Sequence, residues 1–180
     1  MKAFTLWFTG LPCSGKTTLS ELLVERLRGS GCSVEHLDGD AFRQKVTGTL
    51  GFSKQDREAN IARAAEAAAE LAHRGVATVA SFISPYRSMR DNARRVIPHF
   101  IEVYVRCPVE VCEERDVKGM YKLARAGKIR SFTGVSDPYE EPLGPEVTVD
   151  TDKEDLETCA GKVLAYLERR GLVPAARQRS

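Results

Sequence analysis

One octapeptide constrains this chain more than any other feature. Gly10-Leu11-Pro12-Cys13-Ser14-Gly15-Lys16-Thr17 fits GxxxxGK[ST]. It follows a short apolar run, residues 4–9, that reads as a buried strand. Leu19, Leu22, Leu23 and Leu27 come after it at helical spacing, and Gly29 and Gly31 stop that helix. A strand, a glycine turn and a helix in this order make a phosphate cradle, with backbone N–H groups turned inward and the helix N-terminus adding partial positive charge. In such a cradle Lys16 reaches the β- and γ-phosphates and the Thr17 hydroxyl ligates magnesium. The bland alternative is a glycine-rich turn without a ligand, and the flanking strand and helix argue against it.

The rest of the chain suits a single α/β domain. Strand-like runs at 33–37, 76–83, 100–105 and 147–149 alternate with helical segments. Ser53 with Asp56 caps an alanine-rich helix ending near Gly75, and Ser84-Pro85 reads as a cap followed by proline in the first turn. Pro108 opens a further helix, and Leu156, Val163, Leu164 and Leu167 mark a closing one. The expectation is a three-layer P-loop kinase-like fold: a mostly parallel five-stranded sheet with helices on both faces. The domain spans 1–174, with a lid at about 115–145 and a frayed tail at 175–180. Residues 127–145 carry glycines and prolines near aromatics, the composition of a long functional loop.

Composition excludes several other classes. With 42% hydrophobic and 29% charged residues the chain is neither disordered nor a coiled-coil rod. Lys and Arg total 27 against 25 acids, so net charge gives no reason to expect nucleic acid. No apolar run approaches a membrane span, and the N-terminal one is too short for a signal peptide. The scattered Cys13, Cys32, Cys107, Cys112 and Cys159 lack zinc or CxxC spacing and read as reduced thiols. A cytoplasmic location follows as the expectation.

Several further residues carry candidate chemistry. Asp38-Gly39-Asp40 closes the second strand, and carboxyl ends of parallel strands line the ligand crevice. Asp40 there could orient an acceptor hydroxyl, take its proton or hold magnesium; a turn aspartate is the plain alternative. Arg43, Arg57 and Arg63 follow on helices, and arginine grips phosphate and sulfate bidentately. From Val117 to Gly134 there are five basic residues (Lys118, Lys122, Arg125, Lys128 and Arg130) and no acid, which suits a cationic flap over polyanions better than a solvated face. A GTP switch is excluded. No NKxD motif is present, and the DxxG at 116–119 falls in a helical stretch.

From Leu6 to about Pro145 the chain resembles the adenylylsulfate kinases. The blocks GLPCSGKTT at 10–18, LDGDAFR at 37–43, LGFSKQDREANI at 50–61, SFISPYR at 81–87 and VCEERDVKGMYKLARAGKIRSFTG at 111–134 carry the likeness. The resemblance implies ATP-dependent phosphorylation of the 3′-hydroxyl of adenosine 5′-phosphosulfate, with magnesium as cofactor and a homodimeric state. It places ATP on Gly10, Cys13, Ser14, Gly15, Lys16, Thr17 and Thr18, with the adenine near Arg115. The acceptor's adenine is implied between Phe52 and Phe132. Its ribose and phosphosulfate are implied on Arg43, Arg57, Asn60, Ile83 and Ser84, with Lys118 closing from the lid. Asp40 is implied beside the 3′-hydroxyl, and Thr17 with Asp40 at the metal. Ser84 also matches a serine considered in this family as a phosphoenzyme site. His36, His73 and His99 all lie outside the motifs, which leaves no histidine base for it. The chain departs from the family at Pro12-Cys13, Ala59 and Met89. No sulfurylase domain is expected. The rival readings are another small-molecule kinase, for a nucleotide or sugar acid, and a nucleotide-binding regulatory module without turnover.

Overall fold

In the first strand, β1 (Thr5–Thr9), side chains alternate between two cores, as a pleated strand dictates. Leu6 and Phe8 join one cluster and Trp7 joins the other; all three are fully buried. The computed structural model describes residues 2–46 and 53–174. After β1 come α1 (Lys16–Gly29), β2 (Val34–Asp38), α2 (Gly39–Val46), α3 (Lys54–His73) and β3 (Ala77–Ser81). Then follow α4 (Arg87–Val96), β4 (Phe100–Arg106), α5 (Val109–Arg115), α6 (Met120–Arg125), β5 (Val147–Asp150) and α7 (Leu156–Arg169).

The five strands lie in the order β2-β3-β1-β4-β5, and every pairing is parallel. One face packs on α1 and α7 through Leu19, Leu23, Leu27, Val163 and Leu167. The opposite face packs on α3 and α4 through Ile61, Ala64, Ala68, Met89 and Ala93. Alanines at these α3 positions let that helix lie close to Trp7 and Phe82, whose rings stack at 5.3 Å. This is the layered parallel architecture that the alternating pattern predicts, with no antiparallel strand among the described residues.

The Ser53 cap is present: its Oγ accepts from the Asp56 N–H at 3.1 Å. Two local expectations fail. Ser84 is no helix cap, because α4 starts at Arg87 with Tyr86 before it. Ser84 instead takes φ 40° in the loop after β3, and its hydroxyl pairs with the indole N–H of Trp7. Nor do residues 116–119 continue a helix. Asp116 ends α5, and Gly119 with φ 67° opens α6. The Asp116 carboxylate accepts from the N–H groups of Tyr121 and Lys122, capping α6 and breaking the helix in two. DxxG therefore sits in an inter-helix turn, still away from any strand end. Between α6 and β5 the long loop holds a single isolated bridge, Thr133 to Asp137.

Candidate active site

The phosphate loop leaves β1 through Gly10, where a Cβ would stand 2.5 Å from the Val105 carbonyl oxygen, so only glycine fits. Gly15 precedes α1 in a left-handed conformation, φ 94°. Cys13 is also left-handed, φ 61°, although it is not glycine, so this loop stores backbone strain at a functional turn. Lys16 folds back over the loop. Its Nζ donates to Gly10 O at 2.9 Å, Leu11 O at 2.6 Å and Ser14 Oγ at 3.3 Å. The residue is 7% exposed, and burial pulls its pKa from 10.5 down to about 8. Ser14 is buried beneath it, while Thr17 and Thr18 stand exposed on the first turn of α1.

Two carboxylates flank the loop, in different roles. The Thr17 hydroxyl donates to Asp38 Oδ2 at 3.4 Å, and Asp38 Oδ1 accepts from the N–H groups of Asp40 and Ala41 at the start of α2. Asp40 is exposed and forms an ion pair with Lys118 from the turn before α6, which raises the lysine's pKa. The carboxylate beside the expected metal hydroxyl is thus Asp38, a residue sequence reasoning passed over in favour of Asp40. Its position as the last residue of β2 was the available signal.

Arg115 reaches the turn after β5, donating to Thr151 O at 2.7 Å and Thr151 Oγ1 at 3.3 Å. Thr151 in turn donates to Ser14 O at 2.7 Å. Arg115 is therefore tied through Thr151 to the back of the phosphate loop, and Thr151 is a second residue the sequence did not reveal.

Of the residues expected at the acceptor, Arg43 is half-buried on α2 and Asn60 is buried on α3; Arg63, the third candidate arginine, is exposed. Phe52 lies outside the described residues. Ile83 O accepts from Thr9 Oγ1 at 2.8 Å, and Ser84 is 1% exposed, so the loop after β3 is locked to β1. Buried Arg90 reinforces it, donating to Ser84 O and to Glu140 O, each at 2.6 Å, and pairing with Glu102 at 2.8 Å. Burial raises the Glu102 pKa, and Arg90 with Arg94 opposes that shift. Phe132 is half-buried and meets Tyr121 edge to face at 5.0 Å. The Tyr121 hydroxyl donates to Pro12 O at 2.9 Å, joining the flap to the phosphate loop. A cleft of about 700 Å³ lies near Tyr104, Arg106 and Tyr139, and none of Lys16, Thr17, Asp40 or Ser84 lines it. These four residues sit elsewhere, along the carboxyl ends of β1, β2 and β3.

The donor set fits magnesium. Thr17 Oγ1 and the neighbouring carboxylates are hard oxygens, and Mg²⁺ is commonly held by one or two carboxylates together with substrate phosphates. No group of three or more His, Cys, Asp or Glu side chains among the described residues makes a preformed metal cage.

A parallel sheet carrying this loop, with a carboxylate pair beyond β2 and a basic flap above, defines a P-loop small-molecule kinase. The profile of the family described as Adenylylsulphate kinase matches residues 2–150. The chain belongs to that family. It is 51% identical over 172 residues to the adenylyl-sulfate kinase of Halothermothrix orenii, covering 96% of this chain and 93% of that one. It is 52% identical over 167 residues to that of Rippkaea orientalis, covering 93% and 92%. Among solved structures, the APS kinase of Mycobacterium tuberculosis in complex with AMPPNP and APS superposes with a TM-score of 0.89 at 38% identity, covering 93% of this chain and 98% of that one. A gluconokinase from Sinorhizobium meliloti, 22% identical with a TM-score of 0.63, shares the fold only.

Proposed function

We propose that this protein transfers the γ-phosphoryl group of ATP directly to the 3′-hydroxyl of adenosine 5′-phosphosulfate, giving 3′-phosphoadenosine 5′-phosphosulfate and ADP. The carrying observation is the convergence of buried Lys16, Thr17 with Asp38, and the Asp40–Lys118 pair at one end of the sheet. Lys16 exchanges its loop carbonyls for the β- and γ-phosphate oxygens and offsets the charge that spreads over the transferring group. Thr17 would hold magnesium, with Asp38 behind it, and the ion would supply positive charge to offset that of the phosphates. Asp40 receives the acceptor's 3′-hydroxyl proton.

Lys118, freed from Asp40 when the acceptor enters, meets the acceptor's anionic group. Arg43, Arg57 and Asn60 orient the phosphosulfate and ribose beside Ile83 and Ser84, and Phe132 supplies one stacking face for the acceptor base. Gly10, Cys13, Ser14, Gly15 and Thr18 form the triphosphate's backbone cradle, and Arg115 flanks the donor base.

We assign a homodimer and a cytoplasmic location. A hexameric APS kinase is known from Thiobacillus denitrificans, so light scattering at several concentrations decides the assembly. No helix among the described residues is long and apolar enough to cross a membrane.

A coupled ADP-release assay with adenylylsulfate, AMP, gluconate or no acceptor tests the reaction. Turnover with adenylylsulfate alone is expected. Turnover on AMP or gluconate without turnover on adenylylsulfate would overturn the reading and install the sugar-acid or nucleotide kinase alternative.

A further inference from the structure

One carboxylate ties the Phe132 turn to the rest of the protein. Asp137 Oδ2 accepts from Arg57 Nη1 and from the Tyr86 hydroxyl, both at 2.8 Å. Arg57 also donates to Thr133 Oγ1 at 2.9 Å and to Ser131 O. The backbone of Asp137 closes the same turn: its N–H donates to Phe132 O at 3.1 Å, and its carbonyl accepts from Gly134 N at 2.8 Å. The Arg57 and Asp137 side chains are only 12% and 19% exposed, so solvent screens this pair far less than a surface salt bridge. Burial and the neighbouring Asp137 raise the Tyr86 pKa, which keeps its hydroxyl protonated as a donor. Three segments distant in sequence thus converge on one carboxylate oxygen: α3 through Arg57, the loop after β3 through Tyr86, and the 131–137 turn that carries Asp137 itself.

We infer that Asp137 is a positioning residue for the acceptor. It touches no substrate. Through Arg57 and Tyr86 it fixes where Phe132 and the Arg57 guanidinium stand when the acceptor arrives. The inference rests on the reading that these two groups face adenylylsulfate. Its chemistry is a matter of pre-organisation: a turn already held in the binding geometry loses less freedom on binding. Without the carboxylate, Arg57 keeps its charge and Phe132 its ring, but neither is held in place. Loss should therefore appear chiefly in acceptor binding, since the side chains of Lys16 and Thr17 are held by Gly10, Leu11, Ser14 and Asp38 rather than by Arg57, Tyr86 or Asp137.

Steady-state kinetics of Asp137→Ala, Asp137→Asn and Tyr86→Phe test the inference, alongside hydrogen exchange of peptides covering 130–137 in the substrate-free protein. Asp137→Ala should raise the KM for adenylylsulfate about tenfold or more while leaving the KM for ATP within about twofold. Asp137→Asn keeps an acceptor for Tyr86 and should recover part of the loss. Tyr86→Phe should shift the same constant in the same direction by a smaller factor. Exchange at 130–137 should quicken in Asp137→Ala, with α1 and the central strands unchanged.

An unaltered acceptor KM in folded Asp137→Ala overturns the inference. So does an equal rise in the KM for ATP, or an Asp137→Asn variant no better than alanine. If Asp137→Ala fails to fold, Tyr86→Phe decides alone: an unchanged acceptor KM refutes the positioning role. If the wild type fails on adenylylsulfate, the reaction assignment falls. The exchange of 130–137 then still shows whether Asp137 fixes the turn.

Discussion

The indole N–H of Trp7 donates to the hydroxyl of Ser84 at 3.1 Å, across 77 residues of sequence and in full burial. This pairing anchors the loop after β3 to the middle of the sheet and occupies an acceptor lone pair of the serine. A nucleophilic serine needs a base to take its proton. The recorded partner of this hydroxyl is instead a donor, which favours direct transfer over a phosphoserine intermediate. Ser84→Ala should keep substantial kcat and lose stability by about 1–3 kcal/mol, because the buried indole N–H is left unpaired. Denaturant unfolding and initial rates check both parts. An inactive variant, together with label from ATP on Ser84 that chases into product, would establish the covalent route. The sequence reads Ser84 as a helix cap; in the structure it makes this long-range pair instead.

Asp38 and Asp40 should separate by magnesium titration. Asp38→Asn weakens the group behind Thr17 and should raise the magnesium concentration needed for half-maximal rate severalfold. Asp40→Asn should lower kcat roughly 10²-fold or more, the scale for a positioned acid–base group, at an unchanged magnesium requirement. The reverse pattern would return the metal role to Asp40.

Lys16 makes a pH prediction whose sign is fixed by burial. Its pKa falls from 10.5 to about 8 in the folded protein. Below the folded value both states carry the proton, and the fold bears the full cost of a buried charge. As pH rises from about 8 towards 10.5 the unfolded chain holds more protons than the folded one, so this group's contribution to stability grows with pH. ATP phosphates bring negative charge to the ammonium and should raise its pKa again. Binding at pH ~8.5 should therefore take up most of a proton per ATP, read by calorimetry in buffers of different ionisation enthalpy. Heats independent of the buffer would show that Lys16 is already fully charged. Lys16→Ala should abolish turnover.

Cys13 is the half-exposed member of the five free thiols; the other four are buried. Burial raises the pKa of Cys32, and pushes Cys159 to about 11 and Cys112 to about 12. Alkylation of the native protein, followed by mass spectrometry, should mark Cys13 first, and ATP should slow it. Labelling that ATP leaves unchanged would place this thiol outside the occupied cradle.

The elements were legible where the signal is local. The phosphate loop, the parallel order of layers and the Ser53 cap depend on spacing within a few residues, and the strands fall within a residue or two of where alternation puts them. The helical reading of 116–119 fails on a local bond, the Asp116 cap of α6, whereas Ser84 fails because its partner is far away in the chain. Ser84-Pro85 has the composition of a helix start, but Trp7 takes the serine, and the chain turns through φ 40° before α4 begins. Spacing cannot say which of Asp38 and Asp40 faces the Thr17 hydroxyl; Asp38 also caps α2, and that fixes its direction. Asp137 carries no local signature at all, since its side-chain partners lie 80 and 51 residues away. The family likeness supplied Phe132, which composition alone assigns to the core; Arg57 is a candidate already from its place on a helix after β2.

The strand order β2-β3-β1-β4-β5 sets a timetable for the protein's birth on the ribosome. The segment Thr5–Thr9 occupies the middle of the sheet, yet its two neighbours are Ala77–Ser81 and Phe100–Arg106. Some seventy residues must be made before the first of these can pair with it, at roughly 5–20 residues per second. Until then Phe4, Leu6, Trp7 and Phe8, buried in the finished domain, have no sheet to enter. The nascent chain carries its stickiest segment unpartnered for several seconds, the interval in which a chaperone would find something to hold.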